Sequence, residues 1–467
     1  MSRLAAIAHA EGYFDSGAFE RDLARRVAIP SESQNPDHGA DLLRYLDAEM
    51  RPTLEAMGYR CEILPNPVPR YGPFLIAERH EADDLPTVLT YGHGDVIRGQ
   101  DEQWRPGLAP WTLTREDGRI YGRGTADNKG QHSINIAGLQ AVLATRGRLG
   151  FNSRLLIETG EETGSPGLHA MCATQKGRLA ADVLIASDGP RVKPDRPTVY
   201  TGTRGAMNFD LTLELRAGGH HSGNWGGLLA NPGIVLAHAL ATIVSPSGQI
   251  LVKELLPAPM SNSVRRALAD LEIDGGQDAP EIDAGWGEPG FTAAEKVYGW
   301  NSFEILAFKT GNPDRPVNTI PPRASAHCQM RYVVGSDPEN FLPAIRRHLE
   351  AHGFGRIEVT SARDGISRAT RLDPDHPWVQ WTVRSMQATT GKKPAILPNL
   401  GGTLPNDAFS EVLGVPTVWV PHSYASCAQH APNEHLLVPV VREGLAIMAG
   451  LFWDMGEDGV PAPSHRS

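Results

Sequence analysis

Two kinds of hydrophobic pattern alternate along the first 200 residues. Apolar side chains recur at helical spacing from Leu42 to Leu54, and a second helical stretch runs from Asn128 to about Thr145. Because buried strands that alternate with helices form βαβ units, this half of the chain predicts a largely parallel sheet. The strands are predicted at short apolar runs that end in turns with glycine or an acidic residue: Phe74–Ala77, Val88–Tyr91, Leu155–Ile157 and Val183–Ala186.

The pattern changes near Arg204. Apolar and polar residues alternate with a period of two from Met207 to Leu215, which indicates a half-buried strand. A second strand of this kind is predicted at Ala324–Val333, and a helix at Gly233–Ile243 lies between them. Such strands are typical of an antiparallel sheet with one exposed face, so this segment predicts a separate α+β module.

Short apolar runs of the first kind return at Pro394–Leu397 and Pro416–Val420. The chain therefore returns to the first type of architecture after the α+β module. We predict an α/β fold in which one domain, residues 1–203 and 365–467, is interrupted by an inserted α+β domain, residues 204–364.

The composition narrows the class of protein. The chain has 467 residues, of which 40% are hydrophobic, and a formal net charge of −10 at pH 7. That length predicts two or three domains, and the acidic balance argues against a nucleic-acid or membrane partner. Because the cysteines have no pairing pattern and no long apolar run occurs, we expect a cytoplasmic protein. The four cysteines are scattered: Cys61, Cys172, Cys328 and Cys427.

Polar residues follow the ends of three predicted strands. His93 and Asp95 follow the first, and their spacing predicts that the Asp95 carboxylate reaches the imidazole of His93, as a metal-bound histidine requires. Glu161 and Glu162 follow the second strand, and Asp188 follows the third. Taken alone, each of these groups is more simply explained as a polar loop or a charged turn.

Two further candidates lie outside this series. Asp127 stands in a glycine-rich segment, residues 122–130, just before a predicted helix. It can cap that helix, but the flanking glycines allow close backbone approach and favour a ligand role. His430 follows the late strand, and His435 competes for the same role; a solvated loop histidine is the simpler interpretation of either.

Taken together, these candidate residues indicate a metal site more strongly than any one of them does alone. Its carboxylates and imidazoles follow separate strands of one predicted sheet, at the edge where α/β proteins bind ligands. Two histidines and three carboxylates, with one carboxylate shared, form a ligand set for two divalent ions about 3.5–4 Å apart. A set of imidazoles and carboxylates without thiolates suits Zn²⁺, Mn²⁺ or Co²⁺ better than Ca²⁺.

In this order the motifs resemble the M20 family of two-metal metallopeptidases and amidohydrolases, and most of all its carnosine dipeptidase-like branch. The resemblance spans about Asp41 to Gly450. It implies a mostly parallel-sheet catalytic domain with an inserted lid and dimerisation domain. It rests on five motifs: H-x-D at 93–95, G-R-G-x-x-D-x-K-G at 122–130, E-E at 161–162, S-D-G at 187–189 and H-x-x-N-E at 430–434.

The resemblance also implies a role for each motif residue. Glu161 would be the general base, and Asp95 would orient His93. The spacing of the last motif favours His430 over His435 as a ligand. Two metal ions, most simply Zn²⁺, would have five ligands: His93 and Asp188 on one ion, Glu162 and His430 on the other, and Asp127 between them.

The inserted segment resembles the same branch. The segment His221–Gly227 is similar to its H-S-G-x-x-G-G motif, whose histidine reaches the active site of a partner subunit. Arg331 matches the arginine that binds the substrate carboxylate. Asn318 and Thr403 stand at substrate-binding positions where the branch commonly has threonine and serine, respectively. The resemblance therefore implies a homodimer formed through the inserted domain.

These observations lead to a first hypothesis and several alternatives. The first is metal-dependent hydrolysis of an amide or peptide bond in a small carboxylate-bearing substrate, such as a dipeptide or an aminoacyl amide. An N-acyl amino acid deacylase or a carbamoyl amidohydrolase is the alternative within the family. A catalytically inactive scaffold is a second class. A Ser–His nucleophile at 221–222 or 422–423 is a third, although neither pair lies in a G-x-S-x-G motif.

Overall fold

The computed structural model describes residues 2–273 and 280–461. A large mixed sheet of eight strands forms its centre, and the four middle strands of this sheet run parallel. In spatial order the strands are Arg60–Leu64, Phe74–Arg79, Asn152–Glu158, Thr87–His93, Val183–Ala186, Thr417–Trp419, Thr198–Tyr200 and Ala395–Leu397.

Both faces of this sheet are buried because successive strand residues enter two different cores. Leu75 and Ala77 pack into one core, and their neighbours Phe74 and Ile76 pack into the other. Burial on both faces explains why the strands appear as continuous apolar runs in the sequence. The first core is covered by long helices: Arg3–Asp15, Ala18–Val27, Lys129–Arg146, Pro377–Thr390 and Val438–Met455.

A further helical segment, predicted from Leu42 to Leu54, joins the first core. It consists of Gly39–Arg44, a π-helical stretch at Tyr45–Met50, and Arg51–Ala56. The second core is covered by shorter elements: Leu168–Thr174, Lys176–Leu179, Asn262–Ala269, Ala293–Tyr298 and the π-helical turn Ala408–Leu413.

The helix Lys129–Arg146 packs close to the ligand-binding edge of the sheet. Its first glycine, Gly130, lies where a Cβ atom would come within 2.0 Å of the carbonyl oxygen of Thr125. A glycine at this position lets the helix begin directly against the glycine-rich loop that precedes it. This close approach fixes the position of the loop that carries Asp127.

The inserted segment forms a second, antiparallel sheet of four strands. In the strand Gly205–Glu214 buried and partly exposed residues alternate, and the strand Arg323–Tyr332 follows the same rule, which confirms both predicted strands. The sheet also contains Ser302–Thr310 and Glu358–Ser367, which the sequence analysis did not predict. The helices Pro232–Ile243 and Pro338–Ala351 pack into the apolar core formed on one face of this sheet.

The fold class predicted from the sequence is confirmed. The predicted domain limits, 203/204 and 364/365, remain a prediction, and the strand Glu358–Ser367 continues past the second limit. Residues 274–279 of the predicted insertion and residues 462–467 lie outside the described residues.

Small sheets and single turns fix the loops at the edge of the large sheet. One three-stranded sheet joins His435–Leu437, Arg119–Tyr121 and Thr114–Glu116. The remaining pairs are Pro190–Arg191 with Ser423–Tyr424, Gly202–Thr203 with Thr370–Arg371, and His220–His221 with Thr319–Ile320. The short helical turns are Pro36–His38, Asp101–Gln103, Glu161–Thr163, Ser222–Trp225 and Lys253–Leu255.

The sequence predicts neither a membrane-spanning segment nor a disulfide bond. Within the described residues, no helix combines the length and apolar character that crossing a membrane requires. All four cysteines are described and none is in a disulfide.

Candidate active site

The parallel strands place the predicted site residues at one edge of the large sheet. His93 is the last residue of a central strand, and Glu161 and Glu162 begin the turn after its neighbour. Asp188 follows the next strand by two residues. Asp127 ends the glycine-rich loop that crosses above them, just before the helix at Lys129. Strands that lie far apart in sequence therefore bring their terminal polar residues together.

These residues form two groups that share one carboxylate. In the first group, Nε2 of His93 lies 2.9 Å from Oδ1 of Asp127 and 3.5 Å from Oδ2 of Asp188. In the second, Nε2 of His430 lies 3.0 Å from Oδ2 of Asp127 and 3.1 Å from Oε2 of Glu162. Within each group, one potential ligand atom from every residue lies within 4.8 Å of the others. Each oxygen of Asp127 thus faces a different group.

The buried Nε2 atom of His93 shows that a cation fits here. Despite its distance of 2.9 Å from Asp127, this nitrogen makes no hydrogen bond of acceptable geometry with any described residue. The other ring nitrogen, Nδ1, is engaged by the carbonyl oxygen of Asp95 at 3.1 Å. A histidine held through one nitrogen, with the other aimed at carboxylates, has the arrangement typical of a metal ligand.

The charges of this cluster perturb one another. Burial lowers the pKa of His93, but its contacts with Asp127, Asp188 and Asp95 outweigh burial and raise that pKa well above its usual value. Burial also raises the pKa of Glu162 to about 7, and the charge of Asp127 adds to the shift. Carboxylates crowded into a buried site need positive charge among them, and divalent ions supply it.

Asp95 contacts His93 differently from the sequence prediction. The strand ends at His93, so the alternation of side chains does not extend to Asp95. Its carboxylate lies 3.5 Å from Nδ1 of His93, and the hydrogen bond to this nitrogen involves the Asp95 carbonyl oxygen instead. The carboxylate accepts hydrogen bonds from the backbone N–H groups of Glu161 and Glu162, at 3.2 and 3.1 Å. Asp95 thereby ties the His93 loop to the Glu161–Glu162 turn.

Glu161 and Glu162 are adjacent in sequence but face different surroundings. The side chain of Glu162 is 4% exposed and contacts His430, whereas that of Glu161 is 18% exposed and borders a cavity. Burial raises the pKa of Glu161 well above its usual value; the His93 charge opposes this shift, and the charge of Asp188 adds to it. A carboxyl group with a raised pKa at a cavity wall is suited to accept and return a proton.

Glu434 supports the loop that carries Asp127, a role that the sequence analysis did not assign. Its Oε1 atom accepts hydrogen bonds from the backbone N–H groups of Ala126 and Asp127, at 2.8 and 3.0 Å. Its Oε2 atom accepts from Gly124 N–H at 3.0 Å and from the Arg123 guanidinium at 2.8 Å. Glu434 and Arg123 are each 1% exposed, so this ion pair is buried. The signal in the sequence that could have identified this role is the Asn-Glu pair that ends the H-x-x-N-E motif at 430–434.

Asn128 connects the ends of two central strands, which the sequence analysis also missed. Its side-chain oxygen accepts a hydrogen bond from the backbone N–H of His93 at 3.4 Å, and its amide donates to the carbonyl oxygen of Ser187 at 2.8 Å. The same oxygen lies 3.0 Å from Nδ1 of His132, which is buried beneath it. Asn128 therefore sets the separation of the loops that carry His93 and Asp188.

A cavity of about 580 Å³ opens over the cluster. Arg331 lines it, and the guanidinium donates hydrogen bonds to Oγ1 of Thr403 at 2.7 Å and to the side-chain oxygen of Gln329 at 2.9 Å. Gln429 also lines the cavity, and its amide donates to Oδ2 of Asp127 at 2.5 Å. One wall therefore carries the positive charge of Arg331 and the floor carries the acidic cluster, so the cavity is suited to a small molecule that directs a carboxylate toward Arg331.

Other predicted candidates lie away from this cavity. His221 and Asn318 are exposed in the inserted segment, where Nδ1 of His221 accepts a hydrogen bond from the backbone N–H of Gly223. His435 belongs to a small strand, and its Nε2 atom lies 2.6 Å from the hydroxyl of Tyr424. The structure therefore places His430, rather than His435, against Asp127.

Comparison with known proteins identifies the family. The sequence profile of peptidase family M20/M25/M40 matches residues 89–454. The chain belongs to this family. It is thus an M20 metallopeptidase, a metal-dependent hydrolase, which confirms the resemblance drawn from the motifs.

Curated relatives of this M20 peptidase include dipeptidases. It is 26% identical to the Beta-Ala-His dipeptidase of Mus musculus, over 94% of this chain and 93% of that protein. It is 23% identical to the cysteinylglycine-S-conjugate dipeptidase of Corynebacterium striatum, over 82% of this chain and 83% of that protein.

Solved structures share the fold of this M20 peptidase. Human carnosine dipeptidase 1 is similar with a TM-score of 0.75 and 24% identity, over 97% of this chain and 99% of that one. The dipeptidase Dug1p of Saccharomyces cerevisiae is similar with a TM-score of 0.77 and 20% identity, over 97% of this chain and 98% of that one. These likenesses confirm the predicted fold class.

Proposed function

We propose that this M20 peptidase hydrolyses the peptide bond of dipeptides and related small amides that carry a free carboxylate. The observation that carries the proposal is the position of Asp127, which is shared by two ligand groups beneath a cavity bordered by Glu161 and Arg331. The similarity to Beta-Ala-His and cysteinylglycine-S-conjugate dipeptidases supports a dipeptide substrate.

Two divalent metal ions would be held by the two groups. Imidazole and carboxylate ligands fit Zn²⁺, and they also accept Mn²⁺ or Co²⁺. Bound at this edge, the ions would polarise the scissile carbonyl and acidify a water molecule. The proposed ligands are His93 and Asp188 for one ion, Glu162 and His430 for the other, and Asp127 for both.

Glu161 is the proposed general base. Its carboxylate faces the cavity while its neighbour Glu162 faces the cluster, so the two acids are free to divide the work of proton transfer and metal binding. Glu161 takes the proton of the attacking water and returns it to the nitrogen of the departing amine. Asp95 holds the backbone of this turn and so positions the Glu161 carboxylate against His93.

Arg331 is the proposed binding group for the substrate carboxylate. Thr403 and Gln329 accept hydrogen bonds from its guanidinium and fix its orientation before substrate arrives. A guanidinium in a fixed orientation recognises a carboxylate with both charge and direction. Binding through the carboxylate places the adjacent amide over the floor of the cavity.

A homodimer formed through the inserted domain is part of the proposal. The edge strand Ser302–Thr310 exposes three large apolar side chains, Ile305, Leu306 and Phe308, and Ile234 is exposed on the helix packed beside this strand. An uncovered apolar edge strand is suited to pair with a second copy of itself. In that assembly the partner subunit's His221 would stabilise the developing oxyanion, and Asn318 would lie near it. The unpaired cysteines fit a cytoplasmic location.

The alternatives have less support. At residues 422–423, the hydroxyl of Ser423 donates to the carbonyl oxygen of Gly189, and the ring nitrogens of His422 make no hydrogen bond with any described residue. A Ser–His nucleophile is therefore not formed there. An inactive scaffold would not need the complete set of ligands and base. An N-acyl amino acid deacylase or carbamoyl amidohydrolase remains the alternative within the family.

Metal removal and restoration test the proposal. The purified protein is treated with a chelator, then supplied with Zn²⁺, Mn²⁺ or Co²⁺ and assayed against dipeptides and N-acyl amino acids. We expect hydrolysis of dipeptides that chelation abolishes and at least one of these ions restores. Activity that survives complete removal of metal, verified by elemental analysis, would contradict the proposal.

A further inference from the structure

A second, smaller cavity of about 210 Å³ lies on the far side of Glu161. It shares three wall residues with the larger cavity, namely Glu161, Thr403 and Leu404. A small molecule bound against Glu161 therefore has space on both sides of this carboxylate. The roles proposed above for hydrolysis do not explain what this second cavity binds.

The distal wall of this side cavity contains a carboxylate–imidazole pair. Oδ2 of Asp407 lies 2.8 Å from Nε2 of His169, and both residues line the cavity. The Asp407 side chain is 12% exposed and that of His169 is 55% exposed. The carboxylate is the more buried member of the pair, so the wall of the cavity holds it in place while the half-exposed imidazole reaches solvent.

The charged groups around His169 are acidic. The hydrogen bond to Asp407 raises the pKa of His169, burial opposes the shift, and the charges of Asp407, Glu411 and Glu158 add to it. Asp407 is the acidic side chain of this group that lines the side cavity, whereas Arg331 lines the larger cavity.

We propose that the side cavity binds the free primary ammonium group of the substrate's N-terminal residue, with the Asp407 carboxylate as its acceptor. This inference rests on the proposed function and makes it more specific. A dipeptide carries a carboxylate at one end and an ammonium group at the other, with the scissile amide between them. Arg331 lines the larger cavity, Asp407 lines the side cavity and Glu161 lines both, which matches that order of groups.

The consequence is selection between two substrate classes. An N-acyl amino acid has the same carboxylate and amide but no ammonium group, so it leaves Asp407 without its ligand. A charge-assisted hydrogen bond to a buried carboxylate changes binding by about 10- to 100-fold. The side cavity therefore favours dipeptides over N-acyl amino acids, and His169 acts as a positioning residue that orients Asp407.

Matched substrates test this proposal on the metal-loaded enzyme. Alanyl-alanine carries the α-ammonium group, and propionyl-alanine differs from it by the loss of that group alone. In 6-aminohexanoyl-alanine the ammonium group lies where the end of a lysine side chain would be. We expect at least a 10-fold higher kcat/KM for alanyl-alanine than for propionyl-alanine. A preference for 6-aminohexanoyl-alanine over both would instead assign the side cavity to a basic side chain.

The variant Asp407→Asn removes the acceptor charge with little change of shape. We expect it to lower kcat/KM for alanyl-alanine by about 10- to 100-fold, mainly through KM, and to change turnover of propionyl-alanine by less than threefold. Glu411→Gln is the matched control, because it removes a carboxylate four residues away that does not line the cavity. This control should leave the preference intact.

Two further measurements keep the test independent of turnover and of folding. In the Glu161→Gln background, calorimetric binding of alanyl-alanine should weaken when Asp407→Asn is added, and binding of propionyl-alanine should not. Ser367→Lys places a lysine ammonium group at the wall of the cavity without altering Asp407, and should raise KM for alanyl-alanine but not for propionyl-alanine.

The outcomes separate the two proposals. If the wild-type enzyme hydrolyses alanyl-alanine and propionyl-alanine equally well, or if Asp407→Asn impairs both equally, the ammonium site is wrong while amide hydrolysis stands. If the metal-loaded enzyme hydrolyses none of the three substrates, the proposed function fails and the ammonium site fails with it.

Discussion

The carboxylate of Glu434 accepts a hydrogen bond from the backbone N–H of Asp127 at 3.0 Å, across 307 positions of the chain. Through this contact a buried acid that lies outside both ligand groups controls where the shared carboxylate is held. The same carboxylate neutralises Arg123, which is as deeply buried as Glu434 itself. The arrangement of the two ligand groups and the stability of the surrounding fold therefore depend on the same residue.

Glu434→Gln should destabilise the protein and weaken metal binding together. The substitution leaves the Arg123 charge buried without its counter-ion, which typically costs about 3–5 kcal/mol. Urea unfolding, with metal content measured by elemental analysis, checks both effects. Glu457→Gln is the matched control, because it breaks a more exposed ion pair with Arg146 and should cost at most about 1 kcal/mol. Equal losses in the two variants would contradict this interpretation of Glu434.

Glu161→Gln should preserve the fold and the metal content but lose most turnover. An amide cannot accept the proton of the attacking water, whereas the proposed ligands Asp127 and Glu162 remain. Removal of a general base typically lowers kcat by about 10²- to 10⁴-fold. Steady-state kinetics and elemental analysis on the same preparation check this prediction. A variant with near-normal kcat would show that Glu161 is not the base.

Asp127→Ala should cause loss of metal at both positions. Each oxygen of Asp127 faces a different histidine, His93 at 2.9 Å and His430 at 3.0 Å, so one substitution removes a ligand from both groups. Without this shared carboxylate, two divalent ions would also repel each other with less shielding. Elemental analysis that finds two ions at normal occupancy would contradict the shared role.

The positions of the cluster residues could be predicted because they depend on sheet geometry. His93 ends one parallel strand and Asp188 follows another, and parallel strands bring their carboxyl ends to one edge whatever the intervening sequence. The role of Glu434 could not be predicted in this way, because its partners at 123–127 depend on how a late loop folds back over an early one. The sequence likewise could not predict that the carbonyl oxygen of Asp95, rather than its carboxylate, binds the His93 ring, because Asp95 lies in a turn outside the strand.

Two of the elements that the sequence analysis missed show how packing hides an element from its sequence pattern. The helix Arg3–Asp15 buries Ala6, Ala10 and Phe14 at four-residue spacing, and small side chains give a weak hydrophobic signal. The edge strand Ser302–Thr310 exposes Ile305 and its apolar neighbours, so its sequence does not alternate as a half-buried strand should. A strand with exposed apolar side chains therefore lacks the alternating pattern by which the two central strands of this sheet could be predicted.

Asp407→Asn should alter stability in a pH-dependent way. The pKa of His169 is raised above its usual value of 6.5 in the folded protein by the hydrogen bond to Asp407, so the pair stabilises the fold when His169 is protonated. This contribution is complete below about pH 6.5 and is lost as the pH rises through the folded-state pKa. The difference in unfolding free energy between wild type and variant should therefore be larger at pH 6 than at pH 8.5.

Chemical denaturation at the two pH values checks this, and NMR titration of His169 gives the pKa directly. His376 serves as an internal control in the NMR experiment, because burial lowers its pKa. A His169 pKa that is unaffected by Asp407→Asn would contradict the pairing on which the pH dependence rests.

A mixture of two inactive variants should regain activity if His221 completes a neighbouring subunit's site. His221 is exposed and does not line the cavity of its own chain, so a contribution to catalysis requires a second copy. His221→Ala retains the proposed metal ligands but cannot donate the histidine, and Asp127→Ala retains the histidine but loses metal. In a heterodimer, the chain with intact ligands receives His221 from its partner, so one of the two sites is complete.

We expect up to half of the wild-type activity per heterodimer after subunit exchange in the presence of metal. Differently tagged chains and tandem purification would establish that the heterodimer is present. Mixing His221→Ala with Glu161→Gln provides a second pairing, in which the defective site keeps its ligands and the dimer is least disturbed. Because both pairings complete one site by the same route, they should recover to similar extents. Proven heterodimers without recovery in either pairing would place His221 outside the partner's site.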